Sequence, residues 1–79
     1  MKRSMLLDYL AQVERHVSEG EWHLLRQREI VDELERHGRG NSQTAKMARD
    51  ILETFEMAQA AHLNDRARLL IALGEIADS

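Results

Sequence analysis

Apolar residues in the first half of the chain recur at alternating spacings of four and three. Positions 6, 10, 13, 17, 20, 24, 27, 31 and 34 hold Leu, Leu, Val, Val, Gly, Leu, Gln, Val and Leu. Seven of these nine are apolar, and the spacing is that of a coiled-coil seam. In the second half, positions 48, 55, 62, 69 and 76 fall on one line and hold Ala, Phe, His, Leu and Ile. Ile51, Leu52, Ala58, Ala72 and Leu73 flank that line, so this apolar face is wider. The two stripes are separated by His37-Gly38-Arg39-Gly40-Asn41-Ser42. Gly38 suits the left-handed position just past a helix, and Arg36 and His37 suit its negative end. Asn41 or Ser42 can cap the second helix.

The pattern therefore predicts an all-α, antiparallel two-helix hairpin of coiled-coil type, one domain over residues 1–79. Helix 1 covers about 3–37, the turn 38–41 and helix 2 about 42–77. Centring the turn between residues 39 and 40 places residue i level with residue 79 − i. Leu10 then meets Leu69, Val17 meets His62, Leu24 meets Phe55 and Val31 meets Ala48. Seam falls opposite seam along the whole length, which the choice of turn does not force. A rival reading breaks helix 1 at Gly20, where Ser18-Glu19-Gly20-Glu21 fits a capping box. The heptad register passes through Gly20 without a skip, which favours a continuous helix.

Composition agrees with this reading. The chain has 79 residues, no proline, four glycines and one each of Phe, Tyr and Trp. Good helix formers dominate and β-formers are few. With no cysteine, disulfides and thiolate metal sites are excluded, which suits a cytoplasmic protein. The longest apolar run, Leu69 to Leu73, is far short of a membrane span, and Asp8 and Gln12 interrupt any signal-peptide core. The net charge is −3, with seven basic against eight acidic residues in 1–39 and four against six in 40–79. Neither half offers the single-sign field of a general nucleic-acid or anionic-membrane binder.

A lone hairpin is a small single-layer structure, and such structures are marginal. Apolar residues are also left over: Met5, Leu7, Trp22, Leu25 and Ile30 lie off the stripe of helix 1, and Met47 and Met57 off that of helix 2. The expectation is a homodimer closing a four-helix bundle. Its seam comprises Leu6, Leu10, Val13, Val17, Leu24, Val31, Leu34, Ile51, Phe55, His62, Leu69 and Ile76.

Candidate chemistry centres on histidine. His16 and His23 are seven apart beside the seam, and His62 lies on the seam of helix 2 near Gly20. With Glu19 and Asp65 these spacings can ligate a metal inside a bundle. A polar belt of Gly20, His23, Gln59 and His62 that sets register carries more weight, because the paired Glu-x-x-His pattern of di-iron bundles is missing. Such a belt can also make assembly pH-sensitive. Trp22 and Leu25, among Glu21, Arg26 and Glu29, form a possible partner surface. Arg36, Arg39, Lys46 and Arg49 make a basic turn, but Asp32, Glu33, Glu35 and Asp50 interleave them and no aromatic offers a stacking platform. No nucleophile–base pair and no Gly-rich phosphate loop stands out, so no catalytic residue or cofactor is assigned.

Some segments carry a resemblance. Glu14-Arg15-His16, Arg26-Gln27-Arg28-Glu29-Ile30-Val31, Leu34-Glu35-Arg36, Phe55-Glu56, Gln59, His62 and Asp65-Arg66-Ala67-Arg68-Leu69-Leu70 resemble short helical proteins of rhizobia and related alphaproteobacteria. The resemblance covers about residues 13–72. It implies a short helical hairpin in a bacterial cytoplasm, and no activity, ligand or catalytic residue. The leading expectation is a non-enzymatic helical interaction or regulatory module with itself and an unidentified protein as partners. A metal- or small-ligand-binding bundle using His16, His23 and His62 is the alternative. A nucleic-acid regulator acting through the basic turn comes third.

Overall fold

The computed structural model describes residues 2–38 and 40–77. Two helices make up the fold, α1 (Arg3–Arg36) and α2 (Gln43–Ala77). They pack against each other as an antiparallel hairpin measuring 59 × 14 × 14 Å. Helix α1 runs unbroken through Gly20, and no strand occurs among the described residues.

The turn is built as the local chemistry requires. Gly38 has a φ of 71°, which an L side chain resists and glycine accepts freely. Its N–H donates to the Glu35 carbonyl at 3.1 Å, and the His37 N–H donates to Glu33, so the last carbonyls of α1 are partly satisfied. Ser42 caps α2: its Oγ accepts from the Ala45 N–H at 3.1 Å. Arg39 lies outside the described residues.

The seam follows heptad positions a and d in both helices. In α1 these are 10, 17, 24 and 31 (a) and 6, 13, 20, 27 and 34 (d), all buried or half-buried. In α2 they are 45, 52, 59, 66 and 73 (a) and 48, 55, 62, 69 and 76 (d), again buried or half-buried. The 79 − i register sets each a position level with a d position of the other helix. Close contacts agree: His16 on His62, His23 on Phe55, and Gly20 under Gln59.

Within the single hairpin Ile51 lies beside the helix–helix seam rather than in it. It is 43% exposed on the outside, one column away. Ala45, Leu52, Gln59 and Leu73 carry the seam of α2 with the predicted line instead. Arg66 also occupies a seam position, half-buried, with its guanidinium 4.0 Å from Glu14. Long basic side chains can take such a place because the stem packs while the head reaches water.

The core is thin. Leu6, Val17, Leu24, Val31, Ala45 and Ala48 are its buried apolar members, and among the described residues no large side chain is fully buried. Most d positions of α2 stay half-exposed, because two helices cover a seam from two sides only. Of the leftover apolar positions, Met5, Leu7, Trp22, Leu25, Met47 and Met57 are exposed while Ile30 is half-buried; Tyr9, Leu63, Leu70 and Ile71 are exposed as well.

Candidate functional site

The middle of the hairpin is held by two glutamines. Gln59 is 6% exposed, and its Nε2 donates to the Val17 carbonyl across the seam at 2.9 Å. Gln27 is 8% exposed, and its Nε2 donates to the Ala48 carbonyl at 2.8 Å. Each bond runs from a seam side chain to the backbone of the opposite helix. A main-chain carbonyl has two lone pairs, so it can accept this bond besides its helical one.

Gly20 explains how Gln59 fits. A β-carbon at position 20 would collide with Gln59 Oε1 and lie 2.7 Å from its Cδ. The glycine is thus a clearance for the glutamine, and not a helix break. Gln59 Oε1 is buried without a hydrogen-bond partner among the described residues. Rotating the amide would turn this oxygen toward the Val17 carbonyl, so the observed orientation is the better one.

The histidines flank this lock on one side. The His16 and His62 rings lie 5.1 Å apart, tilted by 44°. His23 instead packs on Phe55 at 5.5 Å and edge-on to Trp22 at 5.2 Å. Together with Gly20 and Gln59 they line a cleft of about 120 Å³. His16 and His62 are therefore brought together, while His23 lines the same cleft but packs on Phe55 and Trp22. Among the described residues no three His, Asp or Glu side chains converge as a metal site. The polar belt divides accordingly: Gln59 is its buried member, Gly20 and His62 are half-buried, and His23 is exposed.

The remaining candidates lie on the surface. Trp22 and Leu25 are 62% and 59% exposed, and nearby Arg26 pairs with Glu29 at 3.6 Å. At the turn, Arg49 is 3.6 Å from Glu35, so one basic side chain there is engaged by the interleaved acids. By spacing alone Gln27 is only a polar exception in an apolar seam. Its apolar neighbours along the seam are the available signal of an inward-reaching donor.

These features define a class: an antiparallel coiled-coil hairpin with polar locks in its seam and uncovered apolar surface. No family model matches the chain, and no curated protein or solved structure shows significant similarity to it, so nothing in these comparisons links it to the rhizobial group. No helix among the described residues is long and apolar enough to cross a membrane.

Proposed function

We propose that this hairpin is a non-enzymatic protein–protein interaction or regulatory module that works as an oligomer. Its first partner is a second copy, giving a four-helix bundle, and the assembled surface engages a further protein. A bacterial cytoplasmic setting belongs to the same reading and rests on the resemblance and the cysteine-free composition. The observation that carries the proposal is the amount of large apolar surface left outside the seam: Met5, Tyr9, Met47 and Ile51, each more than 40% exposed, for a second copy, and Met57, Ile71, Trp22 and Leu25, each more than half exposed, for the further protein. Scattered apolar residues are ordinary on a protein surface, but here they accompany a core with no fully buried large side chain. Association is the means by which such a hairpin completes its core. Multi-angle light scattering at micromolar concentration is the test, with a dimer as the expected outcome. A monomer that stays helical and melts cooperatively overturns the proposal.

A further inference from the structure

The two sides of the hairpin seam differ in charge. On one side run the e columns: Leu7, Glu14, Glu21, Arg28 and Glu35 in α1, and Arg49, Glu56, Leu63, Leu70 and Ala77 in α2. Six of these ten are charged. Among the described residues both cross-helix ion pairs lie here, Glu35 with Arg49 and Glu14 with the seam residue Arg66. On the other side run the g columns: Tyr9, His16, His23, Ile30 and His37 in α1, and Thr44, Ile51, Ala58, Asp65 and Ala72 in α2. One of these ten, Asp65, carries a formal charge when histidine is neutral.

We infer that a second copy of this chain docks on the g side, through Tyr9, Ile30, Ile51 and Ala58, with His16 and His23 between them. This rests on the oligomer reading above and says which face closes the bundle. Desolvating charges is costly, so the face to be covered is the one that carries fewest.

Shape points the same way. The α1 column is a ridge of bulky side chains, Tyr9, His16, His23 and Ile30, while the α2 column drops to alanine at 58 and 72. Three clefts lie in a row along this side: one between His23 and Ala58, one between Tyr9 and Asp65, one between Ile30 and Thr44, with the charged Glu19, Arg68 and Glu33 of the neighbouring column also among their linings. A ridge and a row of clefts on the same surface are what a self-complementary two-fold interface requires. The area is adequate too. A face of 59 by 14 Å amounts to roughly 800 Å², about the share each partner buries in a standard interface.

The test compares Ala58→Arg, on the g side, with Ala60→Arg, two residues on and facing away from it; both alanines are exposed. Ile51→Arg is a second g-side variant at a site already 43% exposed. Circular dichroism checks that each stays helical, and sedimentation equilibrium reads the dimer constant. The expected result is a dimeric wild type at twice 9.1 kDa. Ala58→Arg and Ile51→Arg should each weaken the dimer by at least about 30-fold, with Ala60→Arg within about threefold of wild type. A wild-type dimer that survives both g-side variants, or that Ala60→Arg breaks as readily, overturns this inference and leaves the oligomer reading standing. A monomeric wild type overturns both.

Discussion

Gly20→Ala tests the polar lock, because two effects of opposite sign meet at one atom. Alanine in place of a mid-helix glycine ordinarily stabilises by about 1 kcal/mol through helix propensity. Here the new methyl group would occupy the space of Gln59 Oε1. Gln59 must swing away and lose its 2.9 Å bond to the Val17 carbonyl. That loss is worth about 1 kcal/mol, and crowding a packed seam adds about 1 kcal/mol at the low end, since the tip of a glutamine yields more easily than backbone. The net expectation is destabilisation by about 1 kcal/mol in the wild-type background. In a Gln59→Ala background the obstruction is gone and the same substitution should stabilise by about 1 kcal/mol. The double-mutant cycle therefore predicts a coupling of about 2 kcal/mol. Urea unfolding followed at 222 nm measures it, at one fixed protein concentration because association would otherwise shift the apparent stability. Additive effects, within about 0.3 kcal/mol, would refute the claim that Gly20 exists to clear Gln59.

Other substitutions probe the rest of the structure. Gly38→Ala forces a side chain into a positive-φ position but meets no neighbour within 4 Å, so its cost is backbone strain alone. That cost is about 1 kcal/mol, or a melting temperature lower by about 4–8 °C. Gly74→Ala, also with open space around it but inside α2, should instead leave the melting temperature equal or raise it. Ser42→Ala removes the acceptor for the Ala45 N–H and should cost about 1 kcal/mol by chemical denaturation. Replacing Gln27 and Gln59 together by leucine removes an orphaned buried oxygen and adds apolar seam, so the double variant should melt higher. It should also lose its unique register, visible as a mixture of species in sedimentation or as doubled amide resonances. A single sharp set of resonances would show that the glutamines do not specify the pairing.

Much of the architecture is legible in the spacing of residues. Heptad intervals in both halves place the apolar positions on one line of each helix, and the Gly38 turn with Ser42 behind it joins the lines head to tail. Those local rules determine the two helices, the continuity of α1 through Gly20 and the register in which Val17 meets His62 and Leu24 meets Phe55. They act within one helix or across one short turn, where angular position is set directly by sequence number. The tertiary structure decided what lies across the seam. Spacing alone places Gln27 and Gln59 on the seam but does not reveal that each reaches the backbone of the other helix, since that depends on rotamer and, for Gln59, on the clearance at Gly20. Packing brings His16 and His62 together while His23 turns to Phe55 and Trp22, a division among the three histidines that only packed neighbours can produce. It also leaves Ile51 beside the seam and Arg66, half-buried, in it. One column of a heptad is about 50° from the next, and the partner helix decides which of two adjacent columns it covers.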